Sequence, residues 1–344
     1  MLEDPALDIG RISACLSDSY GLHLRALRFI PSYDPQAATY QASAADGDYL
    51  LKMRFGLLNE PALRVPRALL DAGVTGVLAP LRTRDGVLWA GLDDRSVVVS
   101  PSVAGTNATV VGLTYDQWRG FGSALRSIHD SGLSERFHDL LAVETFTLPS
   151  ARLVRDVLAL VEGDVVGGPA AARFAAFWRH NATRIRGILG RAEALAADLR
   201  GRRFELVLCH ADIHSENILV TEDGRLYYVD WDGPMIAPRE RDLLFVIGSR
   251  IAREVRAREE SLFFQGYGRV AIDPEALVYY RYERLVEDIG EAGKSVFLNP
   301  AIGEDTREQE AALMRGFFAP GGDLDTAESV TLHAPQAVAA NGGP

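Results

Sequence analysis

The chain has 344 residues, of which 47% are hydrophobic and 24% charged. That is room for two domains and a full core, and it excludes a disordered chain or a disulfide-stapled miniature fold. A formal charge of −11 and a pI near 5.2 give a field that repels phosphate backbones, so nucleic acid is not an expected partner. The two cysteines, Cys15 and Cys209, are too few for a disulfide framework and suit a reducing, cytoplasmic setting. The acidic start, Glu3-Asp4, is unlike a signal peptide, and apolar runs such as 96–100 and 205–209 are far below the roughly 18 residues of a membrane span, so no membrane is expected.

In chain order, positions 7–20 place Ile9, Ile12 and Leu16 at helical spacing and stop at Gly21, which predicts a helix. Segments 24–30, 39–44, 48–54, 87–92 and 95–100 are short, often alternating, and separated by turn pairs such as Asp46-Gly47 and Asp93-Asp94. They predict an antiparallel sheet. Between the third and fourth of them, 59–73 reads as a helix packed on that sheet, with Asn59 as N-cap, Glu60 in the first turn and Gly73 at its end. Pro66 falls inside it and should remove a hydrogen bond and kink it. After 101–109 the pattern changes to long helical stretches at 114–131, 149–162 and 170–199. Short apolar strands at 205–209, 218–220 and 226–229 interrupt them, and helices resume from Arg239. The expected organisation is a sheet-bearing N-terminal lobe over 1–103, a mainly helical C-terminal lobe over 104–319, and a disordered Gly-, Ala- and Pro-rich tail over 320–344.

The stretch His210-Ala211-Asp212-Ile213-His214-Ser215-Glu216-Asn217, followed by Val229-Asp230-Trp231-Asp232, carries the chemistry. Phosphoryl transfer asks a protein for a carboxylate to take the nucleophile's proton and for ligands that hold magnesium on the nucleotide phosphates. Asp212 fits the base. Asn217 and Asp230 offer the oxygens that magnesium prefers. Of 36 basic residues only Lys52 and Lys294 are lysines, and Lys52 sits on the third predicted strand, where a kinase-like fold pairs a lysine with the phosphates and a helix glutamate. Glu60 is the available glutamate. The alternative is a solvated strand lysine, and for the motif, turn-forming Asp and Asn residues between strands.

On these residues the catalytic region resembles the aminoglycoside phosphotransferases. Residues 7–318 resemble their spectinomycin phosphotransferase branch, through Leu208–Ile213 and His214, the run Asp230-Trp231-Asp232-Gly233-Pro234 to Leu243, and the block Tyr279 to Ile289 that follows Gly266-Tyr267-Gly268. The resemblance implies an α+β, bilobal protein-kinase-like fold. It also implies transfer of the γ-phosphoryl of ATP, with Mg2+, to a hydroxyl of a cationic aminocyclitol, the 9-hydroxyl of spectinomycin. His210 then shapes the catalytic loop, Asp242 anchors it, and the Pro101 carbonyl and Val103 amide are expected to pair with adenine. The loop over the phosphates, 31–36, contains no glycine, so Ser32 is the expected donor there, and the choice between ATP and GTP stays open.

Spectinomycin carries two amines, and carboxylates make the strong hydrogen bonds to cations. Asp232, Glu283, Glu287 and Asp288 are the expected acids, with Trp231 and the Tyr279, Tyr280 and Tyr282 group as walls. The competing reading pairs Glu283 and Glu287 with Arg281 or Arg284 on a solvated face and buries the aromatics in the core. Three further readings compete: the same fold acting on another aminoglycoside or an amino alcohol such as choline, a regulatory pseudokinase, and a metalloprotein built on His210 and His214. The intact set Lys52, Asp212, Asn217 and Asp230 counts against the second. The absence of a zinc-protease glutamate beside the histidines counts against the third.

Overall fold

The computed structural model describes residues 4–5, 7–31, 37–163, 167–300 and 302–327. The chain divides into two compact units: Met1–Ala142 with Val207–Ile236 and Gln265–Tyr267, and Val143–Leu206 with Ala237–Phe264 and Gly268–Pro344. The first unit therefore holds the N-terminal sheet and the chemistry-bearing stretch 210–232 alike.

In the first unit, α1 (Ile9–Tyr20) is started by Asp8, whose carboxylate accepts from the amides of Gly10 and Arg11, and ended by Gly21 at φ 74°. Strands β1 (Leu24–Ile30), β2 (Ala37–Ala44), β3 (Asp48–Phe55), β4 (Ala90–Leu92) and β5 (Arg95–Pro101) form one antiparallel sheet in the order β1-β2-β3-β5-β4, as the sequence predicts. β4 starts later than residue 87 because Val87 and Thr83 are tied in a tight turn. The two-residue period then decides function. Leu51 and Met53 of β3 and Val97 and Val99 of β5 pack with Ile12 and Leu16 of α1, so Leu50, Lys52, Val98 and Ser100 point to the opposite face.

Between β3 and β4 runs α2 (Pro61–Asp71), with Pro61 in the first turn, where a missing N–H costs nothing. Pro66 sits inside the helix without ending it. Asn59 does not cap it as expected: Glu60 holds the cap position, and the Asn59 side-chain amide instead donates to the Asp232 carbonyl at 2.8 Å. Further on, β6 (Thr106–Asn107), β7 (Ile218–Val220) and β8 (Leu226–Tyr228) form a second antiparallel sheet in the order β8-β7-β6. Helix α3 (Tyr115–His129) opens with a capping box between Thr114 and Gln117 and stacks Phe121 on Tyr228, ring centres 5.7 Å apart.

The second unit is mainly helical. Its α4 (Ala151–Glu162), α5 (Gly168–Leu199), α6 (Pro274–Leu298) and α7 (Glu304–Phe317) pack so that α6 touches the other three. Gly293 permits that approach: a Cβ there would lie 2.9 Å from Val157 and 3.0 Å from Trp178. Within the predicted tail, Asp323–Ala327 forms a short helix, and 328–344 lie outside the described residues. Among the described residues no helix is long and apolar enough to cross a membrane.

Candidate active site

The site belongs to the first unit and starts with a histidine that does no chemistry. His210 is fully buried. Its Nε2 donates to the Val229 carbonyl at 3.0 Å, and its Nδ1 accepts the Asp212 amide at 3.3 Å. One ring thus ties the loop before Asp212 to the strand end before Asp230. Both of its ring nitrogens are engaged, so it does not form a metal pair with His214. Trp231, expected as a site wall, is 4% exposed, packs its ring 4.4 Å from that of His210 and donates its indole N–H to the Tyr228 carbonyl. Its main role is packing, although one edge faces the cavity described below.

Asp212 is held from two sides. The side-chain amide of Asn217, in the single 3-10 turn Ser215–Asn217, donates to the Asp212 carbonyl at 2.8 Å and to Oδ2 at 3.3 Å. His214 accepts the Glu216 amide at Nδ1, which puts its ring proton on Nε2, 3.5 Å from Asp212 Oδ1. His214 is a positioning residue that the motif alone did not single out. Its signal was the two-residue spacing from Asp212. The loop is further pinned by Thr109 to Ser215 and by the Asn107 side chain to the Glu216 carbonyl. Ala211 and Asp230 take φ of 70° and 65°, left-handed values that cost a non-glycine residue about 1–3 kcal/mol and that cluster where side chains must be aimed.

A cavity of about 390 Å³ lies on the face of the sheet opposite α1, a size that suits a nucleotide. Leu50, Val98, Leu63, Pro66 and Leu78 give it apolar walls, and Lys52, Asp230 and Asp232 line it with charge. Pro101, at the end of β5 opposite Tyr49, lines it, while Val103 lies just past the strand. Ser32 lies outside the described residues. Glu60, expected to face Lys52, is ion-paired with Arg64 at 2.7 Å, one helical turn on. The reason is local: an i, i+4 partner is always in reach.

The charges explain one another. Crowding by protein pushes the Asp230 carboxyl above its ordinary range, the neighbouring Asp232 and Asp212 push it further, and His210 and Lys52 pull it back. Asp230 thus feels two neighbouring carboxylates, Asp232 beside it on the cavity wall and Asp212 nearby, a repulsive arrangement that a divalent cation relieves. An Asp carboxylate and an Asn carbonyl oxygen, with the Asn amide already spent on Asp212, are the hard oxygen donors that magnesium prefers, without the thiolate or imidazole donors typical of zinc sites.

The second unit holds three of the four expected substrate acids, and two of them already have arginine partners. Glu283 is ion-paired with Arg241, with side chains 15% and 9% exposed. Neither Arg281 nor Arg284 is its partner. Asp288 pairs with Arg284 at 2.9 Å. Glu287 lies on the same helix, near enough to raise the Arg241 guanidinium. Tyr279 and Tyr280 are fully buried, and Tyr282 nearly so.

A lysine on a central strand, a pinned carboxylate, and an Asn–Asp oxygen pair beside a nucleotide-sized cavity define a phosphotransferase of the kinase-like fold class. The sequence pattern of the phosphotransferase enzyme family (APH) matches residues 33–280, and the chain belongs to that family. It is similar to the crystallised spectinomycin phosphotransferase APH(9)-Ia in complex with ADP and spectinomycin. The two are 28% identical over 94% of this chain and 99% of that one, with a TM-score of 0.86. The AMP-bound form of that enzyme aligns at 30% identity over 93% and 98%, TM-score 0.82. The choline kinase LicA from Streptococcus pneumoniae, at 15% identity over 88% and 96% and TM-score 0.53, shares the fold.

Proposed function

We propose that the chain is an ATP-dependent O-phosphotransferase whose acceptor is spectinomycin at its 9-hydroxyl, working in the cytoplasm. The observation that carries this is the end-to-end similarity at TM-score 0.86 to an enzyme crystallised with ADP and spectinomycin. The acceptor hydroxyl gives its proton to Asp212, whose orientation is set by the Asn217 amide and the His214 ring proton. Lys52 binds the nucleotide phosphates. Asp230 and the Asn217 oxygen would hold magnesium, which, when bound, neutralises charge on the phosphoryl oxygens. Adenine occupies the apolar part of the cavity, against Leu50, Val98 and the backbone at Pro101 and Val103. We assign Glu60, once released from Arg64, as the partner of Lys52, and Ser32 as the donor to phosphate. Glu283 and Asp288 spend their charge on Arg241 and Arg284, so Asp232 and Glu287 are the acids we assign to the drug's amines, with Glu283 orienting its neighbours.

Purified protein incubated with Mg-ATP and, separately, spectinomycin, kanamycin, streptomycin and choline, with product mass and NMR position read out, tests the proposal. Spectinomycin 9-phosphate should form far faster than any other product. Equal or faster turnover of kanamycin or choline would overturn the acceptor while keeping the fold, and no turnover of any would favour the pseudokinase.

A further inference from the structure

Helix α2 has two working faces. Ala62, Leu63 and Pro66 line the nucleotide cavity, while Arg64, Arg67 and Ala68 line a second cleft of about 500 Å³ that shares no residue with the first. The split follows the helical period, since residues three and four apart share a face. The second cleft is completed by Arg82, the half-buried Trp89, Arg136 and Phe137.

Four guanidiniums converge here in a chain whose formal charge is −11. Two carboxylates also line the cleft, Asp71 and Asp139. Asp71 is already held by both Arg67 and Arg82; hydrogen bonding from Arg67, then from Arg82, keeps its carboxyl below the ordinary range. Asp139 projects wholly into solvent beside His138. Arg136 stacks on the ring of its neighbour Phe137, 5.5 Å away, and Arg64 reaches back to Glu60. The lining is positive overall, walled by aromatic rings and open.

We propose that this cleft is a second binding site, for a small compound bearing more than one phosphate group. Arginine forks match phosphate oxygens two at a time, and the spread of Arg64, Arg82 and Arg136 around one cleft suits charges on two linked groups. Arg64 is shared between the ligand and Glu60, so binding competes with the Glu60 ion pair. Because α2 also walls the nucleotide cavity, the site is placed to report the level of a phosphorylated metabolite to that cavity; this consequence, unlike the site itself, rests on the function proposed above.

The test is calorimetric titration of the full chain with inorganic pyrophosphate, without nucleotide or drug, so it does not depend on activity. Arg82→Gln with Arg136→Gln should weaken one class of binding at least tenfold, and Lys52→Met should leave that class intact. Glu60→Gln should tighten it about two- to fivefold by removing the competitor for Arg64. These arginines are exposed, and cooperative thermal melts with midpoints close to the parent's would show the variants folded. Absence of saturable binding, or binding lost only in Lys52→Met, overturns the proposal. Citrate binding as tightly as pyrophosphate at equal ionic strength overturns the phosphate preference.

Discussion

Replacing Glu283 by glutamine tests the electrostatic reading most directly. Burial, acting against the attraction of Arg241 and reinforced by Glu287 and Glu144, raises this carboxyl from an ordinary value of 4.5 to about 7. In the unfolded chain it would titrate ordinarily. Its ionised form is therefore dearer in the fold than in solvent, and the sign follows. The stability attached to Glu283 is present in full below about 4.5 and is lost as pH rises through about 7. At about 1.4 kcal/mol per pH unit the whole interval carries on the order of 3 kcal/mol, and the part between pH 5 and 7.5 about 2 kcal/mol. Glu283→Gln cannot titrate but keeps an oxygen for Arg241. The level of its stability is not the observable, because any change at a buried ion pair shifts it. The slope is. Urea denaturation of parent and variant at pH 5 and 7.5 should show their difference in unfolding free energy moving by about 2 kcal/mol, with the parent gaining at low pH. Parallel pH profiles would refute the reasoning and mean that Arg241 holds Glu283 ionised throughout.

Asp212→Asn should lower kcat about 10²–10⁴-fold with little change in ATP KM, read by steady-state kinetics. His214→Ala removes only a positioning contact and should cost less in kcat than Asp212→Asn. Gly266→Ala should lower stability by more than about 2 kcal/mol, or prevent folding, because its Cβ would fall 1.8 Å from the Arg119 carbonyl oxygen, and a melting curve like the parent's would contradict it. Glu287→Gln should weaken drug binding about 10–150-fold without affecting ATP, measured with each substrate varied separately.

The sequence by itself determined whatever depends on neighbours along the chain. The two-residue period of β3 sends Leu51 and Met53 into the core and so fixes Lys52 on the cavity side. The spacing from His210 to Asn217 closes the loop around Asp212, since Asn217 reaches a carbonyl only five residues back. Helical stretches with apolar stripes became helices nearly where the periodicity placed them, and the sheet formed from the strands expected. Tertiary structure decided the pairings. Asn59 was legible as a cap, but the Asp232 carbonyl, 173 residues away, took its amide. Glu283 had two arginines within a helical turn and chose Arg241, 42 residues earlier, because both chains bury there. Glu60 went the other way, to the arginine on its own helix. Solvent separates the ion pairs: Glu60 and Arg64 stay exposed and take the partner nearest along the helix, whereas Glu283 and Arg241 meet where water is excluded. An ion pair or hydrogen bond is worth little in water and much where solvent is excluded, and which positions lose their solvent is settled only when distant segments meet.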